Sequence, residues 1–430
     1  MIPLMFVLFI VFLFASVPIF ASISAAVAIV FAVFHAGTPM PAMLAQAVVT
    51  SMDSFALMAI PFFMLVGSLM QRTGIAGRLV DVAKMITSDK PGGLGMTAVV
   101  ASVFFAAISG SGPATAAAIG AIMVPAMTPQ GYPKDYSAAL VGASSTFGPV
   151  LPPSIPMIMY GVTVGVSITA LFTAGFLPGF MMAAALVTAN YVISKKRGYK
   201  GEVITYTRKE RLLILRNALW AMLMPIVVLG GIYTGVFTPT ESAVIGVVYS
   251  IVVGRFAYRT LNWKMFKESL IEAAITSATI MILFGGAITF GRLLAIAQIP
   301  QAISAGLLSI SESPLVILLL VNLVVLFIGM FLDTISCIII LAPILAPLME
   351  SLGFSPVFFG AIMVINLCMG MITPPVAANL FVVMRISKST FEGVLKEAWP
   401  FMLVLFSLLI VFIIFPQIIL FLPQLFGLIR

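Results

Sequence analysis

Charged residues are scarce in this chain. Asp, Glu, Lys and Arg make up 8% of its 430 residues, against roughly 25% in a typical soluble domain. Hydrophobic residues make up 62%, and the mean hydropathy is +1.21. This composition excludes a soluble multidomain protein and indicates one integral membrane domain over residues 1–430.

The side chains on which most enzyme sites depend are also rare. The single histidine, His35, cannot form an HExxH zinc site, and a Ser-His pair would have to use it beside a predicted loop. There is no Walker A sequence. The two cysteines, Cys337 and Cys368, lie inside apolar segments and are expected to pack as small hydrophobic side chains. We therefore predict that the chain is not an enzyme, and that energy for uphill transport comes from an ion gradient or from another chain.

Apolar runs of bilayer-spanning length recur from end to end. They are at 54–70, 94–125, 136–160, 168–194, 212–232, 240–258, 271–291, 314–349, 357–384 and 398–421. Residues 1–34 form an earlier run that is too long for one straight span. One kinked helix or two short passes around Val17-Pro18 would both fit it.

Two of these runs, 94–125 and 314–349, are too long for one pass and are broken midway. The first is broken by Ser109-Gly110-Ser111-Gly112-Pro113, and the second by Asp333-Thr334-Ile335-Ser336. Non-helical backbone at membrane depth is tolerated only where it is buried in protein or lines an aqueous cavity. Both runs are therefore predicted to be re-entrant helical hairpins whose tips form a binding site.

The net charge of +8 is explained by membrane topology and does not require nucleic acid as a partner. Placing the basic segment 195–216 in the cytoplasm puts 20 of the 22 Lys and Arg residues inside, leaving Arg292 and Arg430 outside. In this topology the first hairpin enters from the cytoplasm and the second from the opposite side.

An internal repeat supports the same arrangement. A shift of 222 residues aligns eight residues of the first half with identical residues of the second. They are Ile122, Pro125, Met127, Gly131, Ala139, Gly148, Pro152 and Pro153. Inverted repeats with broken helices are an architecture of secondary transporters, so we predict an all-α membrane protein of that class.

Each hairpin tip is predicted to meet a proline-broken helix of its own half. Unwound carbonyls, hydroxyls and amide oxygens are hard neutral ligands suited to Na⁺, so two pseudo-equivalent Na⁺ sites are expected. The residues predicted for the first are Ser109, Gly110, Ser144, Gly148 and Pro149. Those predicted for the second are Asp333, Thr334, Ser336, Gly370, Thr373 and Asn379.

A substrate anion is expected between the two tips, where half-helix N-termini supply partial positive charge. Ser109, Ser111 and Ser154 are predicted to donate hydrogen bonds to it, and Asp333 to act through Na⁺ or by accepting from substrate hydroxyls. Asp333 is also well placed to cap the helix that follows it, and the two roles are compatible. Thr238-Pro239-Thr240-Glu241 is typical of a capping box with proline at the first helical position.

Four segments resemble the large membrane subunit of tripartite ATP-independent periplasmic (TRAP) transporters, over nearly the whole chain. They are Ser109 to Ala117, Gly148 to Pro156, Phe237 to Glu241 and Thr373 to Asn379. The resemblance implies an elevator-type, Na⁺-coupled importer of organic acid anions in the bacterial inner membrane. It also implies a small four-helix membrane subunit, expected as a separate polypeptide, and a periplasmic substrate-binding protein. Sialic acid is slightly favoured over a C4-dicarboxylate as substrate.

An elevator requires a moving unit and a static one. The broken segments 94–160 and 314–384 are predicted to form the transport core, and 168–258 with the terminal helices the scaffold that holds the small subunit. Amphipathic stretches at Arg72–Lys90 and Tyr258–Glu272 are predicted to link the two as interfacial arms. The alternative is a self-sufficient anion/Na⁺ symporter or channel that needs no binding protein.

Overall fold

A computed structural model describes residues 2–34, 40–199 and 206–429; His35, Lys200 and Arg430 lie outside these ranges. In chain order the α-helices are α1 Ile2–Phe14, α2 Ile19–Phe34, α3 Met40–Met52, α4 Ala59–Arg72, α5 Ile75–Thr87, α6 Gly93–Ser109, α7 Gly112–Met127, α8 Lys134–Ser144, α9 Phe147–Val150, α10 Ile155–Val164, α11 Ile168–Arg197, α12 Arg208–Tyr233, α13 Pro239–Val252, α14 Trp263–Ile296, α15 Ile299–Ile310, α16 Pro314–Gly329, α17 Thr334–Ser351, α18 Pro356–Gly370, α19 Ala378–Ser387, α20 Phe391–Ile414 and α21 Gln417–Leu425. A 3₁₀ turn, Thr128–Gln130, follows α7, and a π-helical turn, Val253–Ala257, follows α13.

The helices confirm the predicted all-α membrane fold. Within the described ranges, seven helical segments are long and apolar enough to cross a bilayer. Both long runs are hairpins, broken at Gly110-Ser111 and at residues 330–333. The runs at 136–160 and 357–384 are also broken, each around a cis Pro-Pro bond, Pro152-Pro153 and Pro374-Pro375.

The N-terminal run is two short helices. Residues 15–18 separate α1 from α2, and Ser16 adopts a positive φ of 61° in the turn. The two helices pack against each other, and α2 also packs on α14. At about 1.5 Å per residue, neither is long enough to cross a ~30 Å hydrocarbon core alone. The break therefore lies around Val17-Pro18, where both arrangements placed it, and the number of passes stays a prediction.

The 222-residue repeat extends well beyond the stretch in which sequence identity is visible. With this shift, α6 falls on α16, α7 on α17 and α10 on α19, each within about two residues. The two cis Pro-Pro bonds coincide, and Gly131 (φ 86°) falls on Gly353 (φ 88°). The chain is therefore two structurally equivalent halves.

Helices of one half pack against helices of the other half at the centre of the molecule. The second arm of each hairpin packs on the helix that follows the proline break of the other half: α7 on α19, and α17 on α10. This reciprocity is what a pseudo-two-fold relation between the halves requires. It brings both hairpin tips and both breaks into one region.

One of the two predicted arms is a separate amphipathic helix, and the other is not. The first, α5, is an amphipathic helix bent by 70° from α4. In the second, by contrast, Trp263–Glu272 is the beginning of the long continuous helix α14, because Arg72 pairs with Glu268 and Glu272 at 2.8 and 3.0 Å and holds these turns against α4. The structural counterpart of α5 is α15, which is also amphipathic.

The predicted capping box at the start of α13 is confirmed. The Glu241 carboxylate accepts a hydrogen bond from the backbone N–H of Thr238 at 2.8 Å, and the Thr238 hydroxyl accepts one from the N–H of Glu241 at 3.2 Å. The two bonds satisfy N–H groups at the helix start that have no partner inside the helix.

Candidate functional site

The first hairpin tip is a tight turn closed by its own hydroxyls. Gly110 adopts a φ of 61°, which glycine tolerates at little cost. The Thr115 hydroxyl donates to the Ser111 carbonyl at 2.8 Å, and the Ser109 hydroxyl lies 3.0 Å from that of Thr115. Ser111 is the N-cap of α7, but its hydroxyl lies 3.5 Å from the N–H of Ala114, so the cap is loose. The N-terminus of α7 is left with polar groups available to a ligand.

This tip sits directly on the proline break of its own half, as predicted. A Cβ placed on Gly110 would lie 2.5 Å from the Pro153 carbonyl oxygen. A Cβ on Gly148 would lie 2.4 Å from the carbonyl oxygen of Ser111 and 2.8 Å from the N–H nitrogen of Gly112. Only glycine permits such close backbone contact. The carbonyls of both segments are therefore within reach of one small ion.

The second tip is built around Asp333. Its carboxylate caps α17, accepting from the N–H of Ser336 at 3.0 Å and, in a short bond, from the Ser336 hydroxyl. The tip contacts its own proline break: a Cβ on Gly370 would lie 2.6 Å from the carbonyl of Gly329, and Val376 N–H donates to the Met330 carbonyl at 3.3 Å. The capping role of Asp333 is confirmed, and its ligand role remains a prediction.

The remaining hydroxyls at the breaks are engaged with local carbonyls. Ser144 donates to Leu140 at 2.8 Å, and Thr373 donates to Met369 at 2.7 Å. Thr334 donates to the sulfur of Met371 at 3.2 Å. Each of these hydroxyl oxygens still has free lone pairs, which suit ligation of a cation. Donation to a substrate would require them to break an existing bond.

Of the serines predicted to donate to the substrate, Ser154 is the least available for a hydrogen bond to a ligand. It is fully buried, caps α10 at the N–H of Met157, and donates a short hydrogen bond to the Pro149 carbonyl. Its hydroxyl therefore fixes the break in shape. Its role as a substrate donor stays a prediction, as do those of Ser109 and Ser111.

Asn379, which was predicted for the second Na⁺ site, has its side chain against the first hairpin. Its side chain belongs to the second half but packs on the first hairpin: a Cβ on Gly112 would lie 3.0 Å from its Nδ2 and 3.1 Å from its Oδ1. It is fully buried. Within the described ranges, neither its Oδ1 nor its Nδ2 has a hydrogen-bond partner.

Two adjacent cavities lie beside the tips. One, of about 190 Å³, is lined by Ser109 and Ser111 of the first tip. The other, of about 450 Å³, is lined by Asp333 and Ser336 of the second. Met64 of α4 and Thr276 of α14 line both. A ligand spanning the two cavities would touch both tips.

The far wall of these cavities was missed from the sequence. Glu272, Thr276 and Thr279 line it at a spacing of four and three residues, which places them on one face of α14. Glu272 is held by Arg72 at 3.0 Å and by the Ser68 hydroxyl at 2.8 Å. In the sequence, these polar residues on one face at the start of the apolar run 271–291 were the signal that could have predicted this wall.

The available ligands suit an alkali cation. Across the part of the chain that the structure describes, no group of three or more His, Cys, Asp and Glu side chains is placed to hold a metal ion. The tips and breaks instead offer carbonyls, hydroxyls, one amide and one carboxylate, the set that binds Na⁺ in broken-helix transporters. The residues present therefore fit Na⁺.

The sequence matches a known family over almost its whole length. Residues 6–418 match the model described as "Tripartite ATP-independent periplasmic transporter, DctM component". The isethionate TRAP transporter permease protein DctMQ of Oleidesulfovibrio alaskensis is 40% identical over 97% of this chain, which spans 65% of that relative's length.

Two further relatives have other substrates in their names. The sialic acid TRAP transporter large permease protein SiaM of Vibrio cholerae is 37% identical, over 89% of each chain. The C4-dicarboxylate TRAP transporter large permease protein DctM of Pseudomonas aeruginosa is 35% identical, over 87% of this chain and 88% of the relative.

Among solved structures, the Alcanivorax borkumensis YdaH transporter has the same fold. The TM-score is 0.61 at 16% sequence identity, covering 87% of this chain and 88% of that one. At this identity the likeness shows the fold alone.

Proposed function

The chain belongs to the DctM family of tripartite ATP-independent periplasmic transporters, and from this we propose that it carries an organic acid anion inward together with Na⁺ by an elevator movement. The family places it in the bacterial inner membrane as a multi-pass protein, and its members are transporters rather than enzymes. Sialic acid remains the favoured substrate, ahead of a C4-dicarboxylate.

The observation that carries the proposal is the pair of adjacent cavities at the hairpin tips. The acid group of the substrate lies at the first tip, where the N-terminus of α7 carries partial positive charge and Ser109 and Ser111 supply hydroxyls. Na⁺ is held by the carbonyls where each tip meets its break, and at the second tip also by Asp333. Na⁺ supplies the positive charge that makes entry of the anion favourable.

The contacts of α11 and α12 support a different boundary between the moving part and the scaffold. The predicted scaffold began at residue 168, but α11 packs on α6, α9, α18 and α20, and the Asn190 amide of α11 donates to the Gly92 carbonyl at the base of the first hairpin at 2.9 Å. By contrast, α12 packs mainly on α5 and α13, with a smaller contact to α6. The moving body in this proposal therefore includes α11 and α20, and the scaffold begins at α12.

The names of the relatives suggest the partners. SiaM and DctM are called large permease proteins of TRAP transporters, which suggests a smaller permease and a periplasmic binding protein for this chain too. The helix α12 has an exposed apolar face that includes Leu212, Leu219 and Ile226. This face suits a small membrane subunit of four helices.

The test is uptake by proteoliposomes that contain this chain and its small subunit, with and without the binding protein. The acids to compare are N-acetylneuraminate, succinate and isethionate. Uptake of one of them should require both the binding protein and an inward Na⁺ gradient. Equal uptake after replacing Na⁺ with N-methylglucamine would show that transport is not coupled to Na⁺. Full uptake without the binding protein would favour a self-sufficient symporter.

A further inference from the structure

The two cavities at the hairpin tips carry negative charge and no basic side chain. Glu272 lines the cavity at the first tip, and Asp333 lines the cavity at the second. Among the described residues that line them there is no Lys or Arg. An acid anion at the first tip therefore meets a carboxylate on the opposite wall, while the N-terminus of α7 offers only a partial positive charge.

Arg72 does not cancel the negative charge on this wall. Its guanidinium pairs with two carboxylates, Glu268 at 2.8 Å and Glu272 at 3.0 Å, and one cation against two anions leaves a net charge of −1. The Ser68 hydroxyl also donates to Glu272, at 2.8 Å, and helps to fix its carboxylate in place. Glu272 lines the cavity, whereas neither Arg72 nor Glu268 does. One carboxylate in excess therefore faces the first tip.

This carboxylate and the tip belong to different parts of the proposed elevator. Glu272 lies in α14, which packs on α4, and α4 packs on α13 of the scaffold. Ser109 and Ser111 belong to the first hairpin, which is part of the moving core. When the core moves, the tip changes its neighbours while Glu272 stays with the scaffold.

The wall that contains Glu272 lies toward the cytoplasmic ends of the scaffold helices. Ser68 and Gln71, which line the same cavity, are in the last turn and a half of α4, just before its basic C-terminal end. The helix α14 begins at Trp263 and carries Lys264 and Lys267 in its first two turns. The positive-inside rule places both of these helix ends in the cytoplasm. In this topology the structure has the first tip on the side where an imported anion is released.

We infer that Glu272 is a release residue: its carboxylate repels the acid group of the substrate at the first tip and lowers its affinity on the cytoplasmic side. This inference rests on the proposed function, and adds to it a group that makes release easier than capture. A cavity of about 190 Å³ is too small to separate two charges by more than about one Debye length, ~8 Å. Once Na⁺ leaves, the charge balance at the first tip is against the anion. On the opposite side the tip is away from Glu272, so capture is not opposed.

Removing the charge of Glu272 should strengthen binding on the cytoplasmic side. Proteoliposomes with this chain and its small subunit are loaded with increasing concentrations of an unlabelled acid, and uptake of the same labelled acid is measured with the binding protein outside. The acids are N-acetylneuraminate, succinate and isethionate, of which the one that the wild type takes up is used. The internal concentration with half-maximal effect on uptake reports the affinity on the inner side. In Glu272→Gln it should fall about fivefold, because glutamine has the same shape without the charge.

Glu268→Gln is the matched control. It removes the same charge from the same arginine, but Glu268 does not line the cavity. The internal concentration with half-maximal effect should stay within about twofold of the wild type, because distance and solvent weaken the repulsion. Equal shifts in the two glutamine variants would contradict a local effect of Glu272 and overturn the inference.

A variant of opposite sign decides the question if Glu272→Gln does not fold. Gln71 is exposed and lines the same cavity from α4, so Gln71→Glu adds a carboxylate to the wall and should raise the half-effective internal concentration about fivefold. No fall in folded Glu272→Gln, or no rise in Gln71→Glu, would overturn the inference. Uptake without Na⁺ dependence in the wild type would overturn the proposed Na⁺ coupling alone, since the comparison of internal concentrations still holds. No uptake of any of the three acids by the wild type would overturn the proposed function, and this inference with it.

Discussion

At the scale of single residues, the two hairpins differ most at their caps. Ser111 and Asp333 occupy equivalent positions in the repeat, and each begins the second arm of its hairpin. The serine is neutral and leaves the partial positive charge of α7 uncompensated, whereas the aspartate compensates that of α17. In the proposed function, the first tip therefore suits the anion and the second suits the cation.

Replacing Asp333 with asparagine should separate charge from capping. Asparagine is also a good N-cap, so the melting temperature of Asp333→Asn should stay near that of the wild type. Loss of the carboxylate should lower uptake about tenfold, equivalent to about 1.4 kcal/mol, and raise the Na⁺ concentration needed for half-maximal rate. The measurement is the initial uptake rate as a function of Na⁺. Wild-type rates in this variant would count against a role for Asp333 in transport.

At the scale of elements, each hairpin is seated on a broken helix through glycine. Gly148→Ala would place a methyl group 2.4 Å from the Ser111 carbonyl oxygen, and neither backbone can give way cheaply. We expect a loss of about 1–3 kcal/mol of stability and displacement of the first tip, seen as a lower melting temperature and weaker Na⁺ binding.

Gly77 is the control for this substitution. It lies in α5, and apart from its chain neighbours and the backbone of its own helix no heavy atom lies within 4 Å of its ideal Cβ position. Gly77→Ala should keep both the melting temperature and Na⁺ binding. Equal behaviour of the two variants would show that close seating of the tip is unimportant.

The broken helices could be predicted from sequence because their causes are local. Proline removes a backbone donor and glycine permits a positive φ, so Pro152, Pro374 and Gly110 marked the breaks. The placement of Asn379 could not be predicted, because it depends on α19 packing against α7, which is distant in sequence. The second arm was misplaced for a similar reason: Arg72 recruits Glu268 across nearly two hundred residues. Local chemistry specified the elements, and long-range contacts decided which side chains share a site.

At the scale of the whole molecule, the proposed boundary between moving core and scaffold runs between α17 and α14. The ideal Cβ of Gly291 in α14 lies 3.5 Å from the Cβ of Pro343 in α17. This distance is within the range that a disulfide spans, about 3.5–4.5 Å. The pair Gly291→Cys with Pro343→Cys should therefore cross-link under mild oxidation, arrest transport, and recover on reduction.

Both single-cysteine variants serve as controls and should remain active under oxidation. The native Cys337 and Cys368 are fully buried and free, so they should not interfere. Unimpaired uptake by protein verified as cross-linked would mean that α17 does not slide past α14. Local gating would then replace the elevator.

The two halves match in order and packing, yet they differ in one bend. In the first half residues 53–58 separate α3 from α4, whereas the equivalent part of the second half, residues 275–280, lies inside the unbroken helix α14. In the proposed transport cycle, this difference between two pseudo-symmetric halves corresponds to one end state, and the opposite end state is expected when the halves exchange conformations. In that opposite state, α14 is expected to bend at 275–280, and α3 and α4 are expected to join into one continuous helix. Thr276 and Thr279 lie within that segment and line the cavity beside the second tip, so the proposed movement would also change the wall of the binding site.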